Sequence, residues 1–415
     1  MIARRTLLAA AAAAPLLSAA VPRAAEPDLS GLVDMTRDAT PIDRAERAAR
    51  LTRAQALMRA TGMRAVLIEP GASLEYFTGV RWRRSERVTC AVLPVKGQPC
   101  IVTPFFEEPS VRETLGIAAD VRVWQEDEDP MRLVAVFLRD ARLAAGAIGV
   151  EETARFFVSN RLGALLPGAS LVSADPVVRG CRMVKSPAEI ALMQVASDVT
   201  MAAYRWTYPR VEAGMTGGEI GALMNAATVK LGGEPEFAMA LIGEASAYPH
   251  GSGTVQRVAT GQVVLMDCGC TVSGYQSDIS RTWVHGAATK AQRTVWDHVA
   301  RGQQLAFATA RPGTPAGAVD DAVRQFYQRL GYGPGYRLPG LSHRTGHGIG
   351  MDGHEPVNLV HGEATRLAPG MCFSDEPGLY LPGSFGVRLE DCFHMTDAGP
   401  EWFSAPPRSI EAPIG

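Results

Sequence analysis

Residues 265–282, LMDCGCTVSGYQSDISRT, decide how the chain is read. Val263–Cys270 is a short apolar run, Val272–Gly274 carries turn residues, and Tyr275–Val284 is a second β-prone run, so the stretch reads as a β-hairpin. A turn centred on Val272 and Ser273 sets Asp267 directly opposite Asp278. Directly paired residues share one face, with Cβ atoms roughly 4.5–5.5 Å apart. Two carboxylates at that spacing among apolar neighbours repel each other unless a cation lies between them. The pair therefore predicts a metal site whose remaining ligands come from elsewhere in the chain.

The same device recurs near the C-terminus. Met371–Tyr380 and Gly386–Met395 are β-prone and joined through Pro382-Gly383, and a turn centred on Gly383 sets Glu376 opposite Glu390. Arg388 shares the Glu390 face by the period of two. Between the hairpins lies Ser342–Pro356, SHRTGHGIGMDGHEP, with His343, His347 and His354 among four glycines that allow close backbone approach. Together these stretches nominate Asp267, Asp278, His347, Glu376 and Glu390 as metal ligands. Four carboxylates balance two divalent cations, apart from a bridging hydroxide. A donor set this rich in oxygen favours manganese, zinc, cobalt or iron over thiophilic ions. Cys268 and Cys270 alternate to the face opposite Asp267 and read as buried thiols.

Working outward, Gly214–Gly232 and Gly313–Gly331 align at a constant offset of 99, each a Gly-opened helix closed by Leu-Gly. Two helices and then a sheet segment, twice, predict two similar α/β halves with a site between them. Upstream, Ser186, Pro187 and Glu189 form a capping-box signature for a helix running to about Trp206. Asp43–Ala60 reads as a helix, Ala65–Ile68 as a buried strand, and Cys90–Leu93 with Cys100–Thr103 as a hairpin around Lys96-Gly97-Gln98. Two more helix–strand units end near Val172. The expected division is a signal peptide at 1–25, a flexible lead-in at 26–41, an α/β domain at 42–180 and a catalytic domain at 181–411. Arg81, Arg83, Arg84 and Arg87 read as a solvated loop or as an arm that meets an anionic group, even in a partner subunit's site.

Composition narrows the classes. With 415 residues, 47% apolar and 20% charged, the chain is a globular protein of about two domains. A net charge of −2 gives no reason to expect a nucleic-acid partner. Seven cysteines without framework spacing argue against a disulfide scaffold. Arg4-Arg5 ahead of the Ala/Leu run Leu7–Ala20, with Ser18-Ala19-Ala20 as a cleavage site, indicate twin-arginine export to the periplasm or beyond. After cleavage no stretch is long enough for stable membrane insertion.

MDCG, SDISRT, HRTGHGIG, DEPGLY and VRLED, in that order, resemble the pita-bread-fold metallopeptidases, which include Xaa-Pro aminopeptidases, Xaa-Pro dipeptidases and methionine aminopeptidases. The spacing of His343, His347 and His354, together with the N-terminal α/β domain, is similar to the proline-specific branch and its creatinase-like N-terminal domain. The resemblance implies a metal-dependent exopeptidase, acting through a dinuclear-metal-bridged hydroxide on peptides with proline second, and a homodimer. It implies that Asp267 chelates one ion, His347 and Glu376 the other, and that Asp278 and Glu390 bridge both, with Mn(2+) first among Mn(2+), Zn(2+), Co(2+) and Fe(2+). His250, 17 residues before Asp267, together with His343, His354 and Arg388, matches the active-site histidines and arginine of that family, beside the proton-handling Glu376. Asp375 and the cysteines around Asp267 depart from the usual pattern. A metal-free creatinase-like C–N hydrolase, a lyase on a small zwitterion and a catalytically silent binding module stay open as alternatives.

Overall fold

The structure is a computed structural model that describes residues 27–414. The export-signal reading falls on residues 1–25 and lies outside the described residues. Among these, no helix is long and apolar enough to cross a membrane.

The N-terminal part alternates helices with short apolar strands. Helix α1 (Arg44–Thr61) starts where Asp43 accepts the Glu46 N–H at 2.8 Å. Strands β1 (Met63–Ile68), β2 (Cys90–Pro94), β3 (Cys100–Pro104), β4 (Asp120–Trp124), β5 (Gly146–Val150) and β6 (Ala169–Ser173) form one sheet in the order β4-β3-β2-β1-β5-β6. Helices α2 (Ala72–Thr78), α3 (Glu108–Thr114), α4 (Pro130–Asp140), α5 (Phe156–Leu165) and α6 (Asp175–Arg182) connect the strands and complete the domain. Val66, Ile68 and Leu93 face Ala54 and Met58 of α1, while Ala65, Leu67 and Val92 face Val134 and Leu138 of α4. Because both faces are covered there, the inner strands β1, β2 and β3 read as continuous apolar runs rather than alternating ones. Three helix–strand units follow β3, not two. The extra helix, α3, has seven residues with only Val111 buried, too little to show a period. The lead-in is not a detached segment. Met35 N–H donates to Leu231 O at 2.9 Å, and Leu29 and Leu32 pack on the core.

The second part repeats a unit. Helices α7 (Pro187–Thr207), with its Ser186/Glu189 capping box, and α8 (Gly217–Lys230) cover the antiparallel strands β7 (Glu234–Ile242), β8 (Val263–Val272), β9 (Tyr275–Gln276) and β10 (Ile279–Val284). Helices α9 (Lys290–Thr309) and α10 (Ala316–Arg329) cover β11 (Gly346–Gly348), β12 (Glu355–Leu359), β13 (Cys372–Asp375), β14 (Gly378–Leu381), β15 (Phe385–Arg388), β16 (Asp391–Met395) and β17 (Pro400–Trp402). Helices α8 and α10 start and end at the expected offset of 99 residues. Each is entered through a matching bond: Gly214 N–H to Val258 O and Gly313 N–H to Leu367 O, both 2.7 Å. The fold is therefore the α/β N-terminal domain plus pseudo-symmetric catalytic domain that the resemblance implies.

The two hairpins differ in how far the register was legible. In the first, Asp267 lies opposite Ser280, not Asp278. The turn sits one position later, at Ser273 (φ 49°) and Gly274 (φ 85°), with Val272 paired to Tyr275. A two-residue turn of this hand needs positive φ at both positions, which β-branched Val272 resists. The slip is two residues in the pairing, so the facing parity survives and Asp278 stays on the Asp267 side. In the second hairpin Cys372↔His394 and Gly378↔Arg388 bracket Glu376 and Glu390 in the expected register.

Candidate metal centre

Asp267, Asp278, His347, Glu376 and Glu390 line one cavity of about 730 Å³ between the two halves. His250, His343, His354 and Arg388 line the same cavity. Asp267 projects from mid-β8. Asp278 sits in the break between β9 and β10, and Glu376 and Glu390 sit in the matching breaks of the second hairpin. His347 comes from β11, whose backbone lies so close to β13 that a Cβ on Gly346 would stand 2.1 Å from Ser374 O.

One ligand atom from each of Asp278, His347 and Glu390 falls within 4.8 Å of the others. His347 Nε2 lies 3.4 Å from Glu376 Oε1 and 3.8 Å from Asp278 Oδ2. His347 Nδ1 lies 3.0 Å from Gly348 O, a group that only accepts, so Nδ1 carries the proton and Nε2 turns a lone pair inward. Burial holds the ring well below the usual histidine range, and it is neutral at pH 7. Its inward lone pair faces the carboxyl oxygens of Glu376 and Asp278. Burial, then Asp267 and Glu376, push Asp278 well above the carboxylate range, and burial, then Asp278 and Glu376, do the same to Glu390. Burial lifts Glu376 to about 8. Glu390 Oε1 is buried with no hydrogen-bond partner. Ionised, these carboxylates join the His347 lone pair as acceptors converging on one space, and a divalent cation there would satisfy them together.

A polar layer orients the acids. Ser280 Oγ stands 2.9 Å from Asp267 Oδ1 and 2.7 Å from Glu390 Oε2, and accepts from Arg388 Nε at 3.0 Å. Arg388 also pairs with Asp267 Oδ2 at 2.6 Å and donates to Tyr380 Oη at 3.2 Å. His343 Nδ1 meets Arg344 O at 2.7 Å, so its Nε2 accepts from Tyr380 O–H at 2.7 Å. Burial, then Arg388, holds His343 down to about 3. Neutral and bonded at both nitrogens, it braces Tyr380 and Arg388 rather than offering a free donor. His250 and His354 stand exposed on the cavity wall.

Sequence reasoning missed Ser280 and Tyr380. Ser280 carried one usable signal, two residues after Asp278 on the same strand face. Asp375, the extra acid, points away from the cavity. It lies opposite Asp391, is fully buried, and both its oxygens lack a partner. Burial, then Asp391 and Glu376, push it well above the carboxylate range, which keeps it neutral. Cys268 and Cys270 are buried thiols on the α7 side, with Cys270 Sγ 3.3 Å from Ala196 O.

The sequence pattern of metallopeptidase family M24 matches residues 191–397, and that of the creatinase/prolidase N-terminal domain matches residues 50–184. The chain is 32% identical over 358 residues to a probable dipeptidase, PepE, of Mycobacterium tuberculosis, covering 85% of this chain and 92% of that one. It is 31% identical over 339 residues to an Xaa-Pro dipeptidase of Lactobacillus helveticus, covering 80% and 90%. The crystal structure of dipeptidase PepE from Mycobacterium ulcerans matches with a TM-score of 0.81 at 32% identity, covering 89% of this chain and 98% of that one. On this similarity and the donor set above, the chain belongs to metallopeptidase family M24 and is a hydrolase.

Proposed function

We propose that the chain is an exopeptidase that hydrolyses Xaa-Pro bonds, as an Xaa-Pro dipeptidase or aminopeptidase. The observation that carries the reading is the inward lone pair of His347 set among Asp278, Glu376 and Glu390. The five residues Asp267, Asp278, His347, Glu376 and Glu390 hold two divalent ions, manganese before zinc, cobalt or iron. When bound, these ions polarise the scissile carbonyl and acidify water.

The side chains supply the rest. Glu376 takes a proton from the attacking water and passes it to the departing nitrogen. In an Xaa-Pro bond that nitrogen carries no hydrogen, so its protonation as the bond breaks makes it a leaving group. His250 and His354, on the accessible wall, hydrogen-bond the scissile carbonyl as it gains negative charge. Arg388 holds Asp267 in place and is itself braced through Tyr380 and His343. The names of the relatives support this substrate class. The test is a panel of Ala-Pro, Ala-Pro-Ala and Ala-Ala with the manganese-loaded protein. Cleavage of Ala-Pro alone makes it a dipeptidase, cleavage of the tripeptide makes it an aminopeptidase, and cleavage of Ala-Ala alone defeats the proline reading.

The working unit is a homodimer. Phe105, Phe106, Phe156 and Phe157 are exposed on the N-terminal domain. Arg87 lies over Phe106, which meets Phe105 edge-on, Arg155 lies over Phe157, and Arg155 donates to Arg87 O at 3.2 Å, which brings these three rings near one another. Sedimentation at twice the chain mass supports this, and a Phe105→Ser/Phe156→Ser variant that sediments unchanged opposes this face as the interface. Export through the twin-arginine pathway rests on Arg4-Arg5. Periplasmic recovery that survives an Arg4→Lys/Arg5→Lys change contradicts it.

A further inference from the structure

His354 is the site residue with the least obvious anchor. Its ring lies 4.2 Å from that of His347, and it lines both the metal cavity and a second cavity of about 310 Å³. That second cavity is walled by Pro70–Ala72 and Glu151–Thr153 of the N-terminal domain and by α6. A side chain placed between two cavities keeps its position only if its backbone is held.

The backbone around it is held by the next residue. Glu355 is buried, and its Oε1 accepts the N–H groups of Met351 at 2.9 Å and Asp352 at 3.1 Å. Its Oε2 accepts from Lys185 Nζ at 3.0 Å, and Arg182 pairs with Oε1. Burial alone would raise this carboxyl, but Arg182 and Lys185 bring it down to about 2, so it stays ionised. Arg182 closes α6 and reaches three ways: to Glu355, to Asp352 Oδ2 at 2.7 Å, and to Ser73 Oγ of α2 at 2.9 Å. From the other side, Gln276 of the metal-bearing hairpin donates its backbone N–H to Gly350 O at 2.8 Å and its side chain to Met351 O at 3.1 Å. The loop that carries His354 is thus tied to the N-terminal domain and to the metal hairpin at once, and Glu355 is the knot.

The geometry points to Glu355 as a positioning residue for the reaction: clamped by Arg182 and Lys185, its carboxylate fixes residues 350–355 and so sets where His354 meets the substrate. The residue touches no substrate itself. The inference rests on the proposed role of His354 at the scissile carbonyl. Misplacing a reacting contact by on the order of 1 Å slows turnover about 10²-fold, and loss of an orienting partner slows it about 10- to 100-fold.

A double-mutant cycle on the full-length, manganese-loaded protein tests this, with Ala-Pro as substrate and metal content measured for every variant. Glu355→Gln is expected to lower kcat at least about tenfold with KM and metal content little changed. In a His354→Ala background the same change is expected to add less than about twofold, because the contact it positions is gone. Rescue of kcat by Glu355→Asp, which restores the charge, is expected to be partial. Equal losses in both backgrounds overturn the inference while leaving the His354 role standing. Full activity in His354→Ala alone overturns the His354 role and this inference with it. If Glu355→Gln does not fold, the cycle is run with Lys185→Met, and equal losses again count against the positioning role.

Discussion

Asp375 and Glu376 are neighbours in the chain and opposites in environment. Glu376 faces His347 and the converging acids, whereas Asp375 faces Asp391 in the core, neutral and without a partner. Period two explains this, and it is why a run of two acids contributes one ligand. Glu376→Gln is expected to lower kcat by at least about 10²-fold, since the proton acceptor and a ligand charge go together. Asp375→Asn is expected to leave kcat and metal content unchanged. Steady-state kinetics with metal analysis on both variants check the contrast, and loss of metal from Asp375→Asn would make that residue a sixth ligand. Single residues were legible in the sequence when their chemistry was unusual for their setting, as with acids in apolar strands and histidines among glycines. Ser280 and Tyr380 were not, because a serine and a tyrosine are ordinary in strands. Their partners, Glu390 and His343, lie 110 and 37 residues away.

At the scale of elements, the site is made by two hairpins that break pairing at Asp278, Glu376 and Glu390, while Asp267 projects from the paired middle of β8. The second hairpin was readable to the residue because Gly383 marked its turn. The first was misread by one turn position because the choice between Val272-Ser273 and Ser273-Gly274 depends on backbone φ rather than on hydrophobic pattern. The observed turn makes Gly274 the demanding position, at φ 85° with Met351 and Glu75 close by. Gly274→Ala is expected to destabilise the protein by about 1–2 kcal/mol, seen as a lower melting temperature, with the metal-loaded enzyme retaining its kcat. An unchanged melting temperature would mean the turn is not held in this conformation. Face assignment survived the misreading because a slip of two preserves parity. A slip of one would have sent Asp267 to the α7 side and turned Cys268 toward the cavity.

For the whole molecule, the sequence showed two pseudo-symmetric halves through the offset of 99 residues, but not how the N-terminal domain bears on the site. That coupling runs through Arg182, Lys185 and Glu355, whose separation of 170 residues and more leaves no local pattern. The acid cluster has a consequence for global stability. Glu376, Asp278 and Glu390 have folded-state values raised above their unfolded ones, Glu376 to about 8. Their contribution to metal-free stability is full below the unfolded range and is lost as pH rises through the folded values. Buried His343 and His347 act in the opposite sense, but at pH about 6.5 their unfolded-state protonation is already half gone, so between pH about 6.5 and 8 the three raised acids outweigh them. The metal-stripped protein is expected to melt at lower temperature at pH 8 than at pH 6.5. The metal-loaded protein is expected to lose this trend, because the ions favour the ionised acids. Thermal unfolding of both forms across that window checks the sign, and a stripped protein that melts higher at pH 8 would contradict it. The most direct test of the central claim counts metal and Xaa-Pro cleavage in one purified sample, before chelation, after chelation, and after manganese is restored. Five ligands between two hairpins predict about two ions per chain, with Ala-Pro hydrolysis lost on chelation and regained on add-back. Hydrolysis that persists in the fully stripped protein, or a folded chain that takes up no metal on add-back, would contradict it.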